Sequence, residues 1–142
     1  DICKYPLYQN VGFEEICKES ECIVLACSLN SNNRNLINKK SIGLMEKNPL
    51  IINVSRGQLI NEKDLIKALK EGKISGAGLD VFEIEPLPMN SELMQFRNCI
   101  FGSHNSSNTI DSVEEVNNLT TNMVIDISRT NDFNLYKDRR VF

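Results

Sequence analysis

Four short apolar runs recur along the chain, and each gives way abruptly to polar residues: Cys22–Leu29 (CIVLACSL), Pro49–Ser55 (PLIINVS), Gly76–Phe82 (GAGLDVF) and Cys99–Ser103 (CIFGS). Apolar runs of this length, separated by stretches with helical spacing, are the pattern of parallel strands joined by crossover helices. In such a sheet the carboxyl ends of all strands lie on one edge, and ligands bind in the crevice outside it. Arg56 follows the second run, Glu85 the third and His104 the fourth. The pattern therefore predicts an α/β fold in which these three residues, far apart in sequence, meet at one rim.

The intervening segments support that reading. Gly12–Lys18 has helical spacing at Phe13, Ile16 and Cys17, and Asn30–Asn35 (NSNNRN) reads as a polar loop. Asn38 is placed to cap a helix running through Glu46, with Ile42, Leu44 and Met45 as its apolar positions, until Asn48-Pro49 stops it. Asn61 caps the clearest helix, Glu62–Glu71: acids Glu62 and Asp64 stand in its first turn, Leu65, Ile66 and Leu69 face inward, and Gly72 follows its end. The stretch Ile74–Phe82 is nearly all apolar, which predicts a strand covered on both faces. A helical turn is expected near Leu93, and a long helix over Thr109–Arg129 with a stripe of Val113, Val116, Leu119, Met123 and Ile127. The polar remainder divides the chain into a domain of residues 1–130 and a tail of residues 131–142.

Composition narrows the class further. The 142 residues are enough for one domain with its own core. A formal net charge of -3, with no extended Lys/Arg block, argues against nucleic-acid or membrane-surface partners. The densest basic spot, Lys137–Arg140 (KDRR), sits in the polar tail. The five cysteines, an odd number without a C-x-x-C pair, argue against a disulfide framework or zinc site, so no metal is expected. Cys22, Cys27 and Cys99 lie in apolar runs and are expected to be buried thiols, consistent with a reducing, cytoplasmic setting. No apolar stretch approaches the length of a membrane span. The sequon-like Asn53-Val54-Ser55 falls inside a predicted strand and its turn, and is discounted as a glycosylation site. The first residue is Asp1, not Met, which predicts a piece of a longer protein.

Arginine, carboxylate and imidazole together suit the gripping of a small carboxylic acid while a proton moves beside it. Arg56 stands at a strand-to-loop turn before Gly57, and its planar fork matches a carboxylate through two hydrogen bonds; a structural ion pair is the plainer alternative. Glu83 and Glu85 lie on Phe82-Glu-Ile-Glu-Pro-Leu-Pro, where alternation would point both carboxylates the same way, and Pro86 makes Glu85 the better candidate. A solvated loop acid is the alternative there. His104 is the only histidine, a natural proton donor to a carbonyl becoming an alcohol, although a lone histidine after a strand is often structural. Asp80 ends the strand Gly-Ala-Gly-Leu-Asp and needs a defined polar partner, either a ligand amide or the next loop's backbone.

Ile51–Pro88 (IINVSRGQLINEKDLIKALKEGKISGAGLDVFEIEPLP) resembles the signature of the D-isomer-specific 2-hydroxyacid dehydrogenases. The likeness extends back through CIVLACSLNSNNRNLIN and forward through NCIFGSHNSSNT, and so spans most of the chain. That family consists of two-domain, usually dimeric enzymes that bind NAD or NADP in a Rossmann domain and reduce 2-oxo acids. The resemblance implies a partial Rossmann-like parallel sheet with flanking helices, lacking the first strands, the glycine-rich loop and the substrate domain. It also implies that Arg56 holds the substrate carboxylate, His104 is the general acid–base, and Glu85 orients and charges it. Asp80 would contact the nicotinamide side of the cofactor, while Cys27, Val54, Ser55, Arg56 and the turn His104–Ser107, with Ser106 and Ser107, would line it. Asp1 resembles the acid that takes the adenosine ribose hydroxyls, which favours NAD over NADP. Ser28 and Ser103 stand where the family usually has proline, and Asn105 where an aliphatic residue is usual; these changes are expected to loosen the placement of His104. A non-catalytic NAD-sensing or scaffolding protein on the same fold, or an inactive truncated gene product, is the alternative.

Overall fold

The computed structural model describes residues 9–132 and 134–136. Asp1, Cys3 and the basic spot at Lys137–Arg140 lie outside the described residues. Two compact units divide after His104.

The first unit is a four-stranded parallel sheet with flanking helices, an α/β Rossmann-like arrangement. In chain order it comprises α1 (Phe13–Glu19), β1 (Cys22–Leu25), α2 (Lys39–Ile42), β2 (Leu50–Asn53), α3 (Glu62–Lys70), β3 (Gly76–Leu79) and β4 (Cys99–Phe101). The spatial order is β1-β2-β3-β4, every neighbouring pair parallel, and the register aligns Leu25, Asn53, Leu79 and Phe101 in one row. The carboxyl ends of the strands thus share one edge. Each strand stops short of its apolar run because the ladder ends where the chain turns to build that edge.

α3 forms as its sequence predicts. The Asn61 side chain accepts the Asp64 N–H at 3.1 Å, and Gly72 follows the helix with φ 67. Its inward face buries Leu65, Ala68 and Leu69. α2 begins with a capping box between Asn38 and Ser41 but ends at Ile42, four residues before the expected Glu46. There the chain tightens: Leu44 N–H donates to Ser41 O and Met45 N–H to Ile42 O, bonds three residues long that close the helix. The Lys39 N–H donates to the Asp64 carboxylate at 2.8 Å and ties the start of α2 to α3.

The core is Ile23, Leu25, Ile51, Ala77 and Leu79 from the sheet, packed with Ile37, Ile42, Leu59, Leu65, Leu69, Ile74 and Leu93. Full burial of each large aliphatic side chain contributes about 1.5–3 kcal/mol. Coverage on both faces, expected for the third strand, is found there, with Gly76, Ala77 and Leu79 buried and Gly78 half-buried, but it does not extend across the sheet. Burial alternates along β1 and β2, and Val24 and Ile100, on the opposite face, are 55% and 78% exposed. The same alternation corrects the expected burial of the thiols: Cys22 and Cys27 are exposed, and Cys99 is half-buried. Cys22 points with Val24 to the open face, while Cys27 lies beyond the end of β1.

The second unit holds α4 (Ile110–Thr130), capped by the Thr109 side chain on the Ser112 N–H at 3.2 Å and closed by Asn131 at φ 52. No residue of α4 is buried, so its apolar stripe is uncovered at Val113 and Val116. The Tyr136 hydroxyl bonds the Asp126 carboxylate. No helix among the described residues is long and apolar enough to cross a membrane. The tail expected from residue 131 falls largely outside the described residues.

Candidate active site

The carboxyl edge of the sheet is built from three turns that brace one another. After β2, Asn53 is fully buried, and its side chain organises the turn: Oδ1 accepts the Ser55 N–H at 3.1 Å and Nδ2 donates to the Arg56 carbonyl at 2.9 Å. The Ser55 hydroxyl donates to the Cys27 carbonyl, joining this turn to the end of β1. Arg56 is exposed, and its Nη1 donates to the Ser55 carbonyl at 2.7 Å. Among the described residues, no carboxylate forms an ion pair with it.

Gly57 brings the second turn against the third strand's loop. A Cβ at this position would lie 1.9 Å from the Phe82 carbonyl carbon and oxygen, so only glycine lets the two backbones meet. Beyond β3 the chain bends instead of continuing extended, and this corrects the expected parity of the two acids. Glu83 turns to accept the Glu62 N–H at 3.3 Å; burial and then the Glu83 charge push the Glu62 carboxyl above its usual range. Glu85 turns the other way: Oε1 accepts the Phe82 N–H at 3.0 Å and Oε2 lies 2.7 Å from His104 Nδ1.

His104 is held at both its backbone and its ring. Its N–H donates to the Asp80 carbonyl at 2.8 Å, and its φ of 58 turns the backbone out of the strand direction. Gly102 has no room for a side chain, because a Cβ would lie 2.1 Å from Asp80 Oδ1. The carboxyl of Asp80 therefore sits against the end of β4. With Ser103 in place, His104 keeps both anchors.

The hydrogen bond with His104 does most to hold the Glu85 carboxyl below its ordinary range. The Phe82 N–H adds to this, partial burial opposes it, and the charges of His104 and then Arg56 lower it further. A cleft of about 450 Å³ opens beside the pair, lined by Asp80, Phe82, Glu85, Pro86, Leu87, Phe101 and His104 among others. Arg56 does not line it; its link to the pair is the Gly57 contact and its field at Glu85. The arrangement sets an imidazole against a carboxylate held by a second bond, beside an apolar wall, with a guanidinium on an adjoining turn.

Of the other expected positions, Cys27 and Val54 are exposed at the ends of β1 and β2, and Ser55 is half-buried. Ser106 and Ser107 belong to the second unit, in the exposed turn before α4. Sequence reasoning missed Asn53 as a builder of the site. The available signal was a lone amide ending an apolar strand three residues before Arg56.

Fold and edge together define a Rossmann-like α/β unit with an acid–imidazole pair at the carboxyl edge of its sheet. Residues 3–106 match the family model described as D-isomer specific 2-hydroxyacid dehydrogenase, NAD binding domain. The glyoxylate reductase of Pyrococcus furiosus is 40% identical over 116 residues, covering 82% of this chain and 34% of that protein. The crystal structure of a glyoxylate reductase from Paecilomyes thermophila superposes with a TM-score of 0.77 at 30% identity, covering 86% of this chain and 37% of that one. The D-isomer specific 2-hydroxyacid dehydrogenase from Xanthobacter autotrophicus Py2, in complex with NADPH and MES, gives a TM-score of 0.63 at 36% identity, covering 65% and 30%. The chain belongs to the D-isomer-specific 2-hydroxyacid dehydrogenase family, and the part matched is its nicotinamide-nucleotide-binding domain. It spans about a third of the length of the relatives it matches.

Proposed function

We propose that the protein reduces a small 2-oxo acid to its D-2-hydroxy acid as part of a longer, homodimeric enzyme. The observation that carries this reading is the 2.7 Å contact between Glu85 and His104 at the carboxyl edge of the sheet. With Nδ1 engaged by the carboxylate, Nε2 is the ring atom left to face a substrate oxygen. His104 would give its proton to the carbonyl oxygen, and Glu85 would keep the imidazole oriented and offset its positive charge. Arg56 would hold the substrate carboxylate through its planar fork and polarise the adjacent carbonyl.

The residues fit a nicotinamide cofactor. The cleft joins apolar walls at Phe82, Leu87 and Phe101 to the Asp80 carboxylate, as a ring bearing an amide requires. Asp80 would meet that amide, and Cys27, Val54, Ser55, Arg56, His104, Ser106 and Ser107 would line the remainder. When bound, the reduced cofactor supplies the hydride that C2 receives. We assign NAD in preference to NADP because the Asp1 carboxylate would accept the ribose hydroxyls and repel an added phosphate.

The test is NADH absorbance with glyoxylate, hydroxypyruvate and pyruvate, using the full-length protein. Turnover of at least one acid, with a lower KM for NADH than for NADPH, is expected; no turnover of any would sink the proposal. The 142-residue chain alone is expected to bind NAD weakly and to turn nothing over. Micromolar NAD affinity by calorimetry would contradict that expectation.

A further inference from the structure

Asn53 and Ser41 are the buried polar side chains among the described residues, and Asn53 is completely enclosed. Its neighbours in the strand register are Leu25 and Leu79, so an aliphatic side chain would suit the packing of this row. Burying an amide there is costly unless both of its ends are bonded. Both are, and neither bond joins strand to strand. Oδ1 accepts the Ser55 N–H and Nδ2 donates to the Arg56 carbonyl, so the side chain reaches forward only into the turn that carries the arginine.

The Arg56 carbonyl also accepts the Leu59 N–H at 3.1 Å, and Gly57 is wedged against the Phe82 carbonyl. The peptide following Arg56 is thereby held by a side-chain amide, a backbone amide and a close backbone contact. That fixes the direction in which the arginine side chain leaves the main chain. We propose that Asn53 is the positioning residue for Arg56, setting the guanidinium where it meets a substrate carboxylate. This rests on the 2-oxo acid reading above. Asn53→Asp keeps the acceptor but sets an oxygen against the Arg56 carbonyl; Asn53→Leu removes both bonds at similar volume.

The test is a double-mutant cycle in the full-length protein, following glyoxylate reduction by NADH with thermal unfolding recorded alongside. Arg56→Ala and Asn53→Asp are each expected to raise KM by about tenfold or more, the value of a charge-assisted contact. For Asn53→Asp, kcat should fall by less than KM rises, because the loss is chiefly of substrate binding. The double variant should show a KM within about twofold of Arg56→Ala alone, because no guanidinium remains to be positioned. Effects that multiply in the double variant, or a folded Asn53→Asp with unchanged KM, would overturn the proposal and leave the carboxylate grip standing. Unchanged kinetics in Arg56→Ala, or no glyoxylate turnover by the parent, would overturn both. If Asn53→Asp does not fold, Asn53→Leu takes its place in the cycle; if neither folds, Asn53 is a folding residue and the proposal fails.

Discussion

Glu85 Oε2 lies 2.7 Å from His104 Nδ1 while Oε1 of the same carboxylate accepts the Phe82 N–H at 3.0 Å. One side chain thus binds the loop after β3 to the residue that follows β4. The pairing is positional as well as electrostatic, because the second bond stops the carboxylate from swinging away from the ring.

The pair makes a prediction about acid stability. The Glu85 carboxyl is held below its ordinary value by the His104 hydrogen bond, then by the Phe82 N–H. A depressed folded-state value contributes stability that is present above the unfolded value, about 4.3, and is lost as pH falls through the folded value. Glu85→Gln should therefore lower Tm most near neutral pH, with the gap from the parent closing below about pH 4. Thermal unfolding across that range checks the sign; a gap that widens in acid contradicts it.

Gly57→Ala tests the contact between the second and third turns. The added methyl would lie 1.9 Å from main-chain atoms of Phe82, which cannot rotate away as a side chain could. A loss of about 1–3 kcal/mol or more in urea unfolding is expected, as for overpacking elsewhere. A neutral effect would show that the two turns are not locked together.

Two substitutions in α3 separate capping from burial. Asn61→Ala removes the acceptor for the Asp64 N–H and should cost about 1 kcal/mol. Leu65→Ala, at a side chain 1% exposed, should cost about 2–5 kcal/mol. Denaturant midpoints for the two variants give the ranking directly, and the reverse order would contradict the packing described.

Much of this architecture is legible in the amino-acid sequence, because parallel strands are written as apolar runs and α3 carries a cap, an inward stripe and a closing glycine. The apolar runs outlast the strands: residues such as Leu29 and Phe82 continue past the ladder into the turns. Open-face exposure at Cys22, Val24 and Ile100 was not legible, since hydrophobicity does not state which elements pack on a given side. The opposite turning of Glu83 and Glu85 was also hidden, because period-two reasoning holds only while the chain stays extended. Asn53 read as a discounted sequon, and its clamp on the Arg56 turn emerges only from knowing where its amide points.

In the proposed reduction the Glu85–His104 pair and the Arg56 turn serve one reaction. Steady-state kinetics of His104→Ala and Arg56→Ala in the full-length protein, with glyoxylate and NADH, decide whether this is so. His104→Ala is expected to lower kcat by about 10²–10⁴-fold with KM little changed. Arg56→Ala is expected instead to raise KM by about tenfold or more, the loss of hydrogen bonds to a charged group. Parent-like kcat and KM in both variants would contradict it.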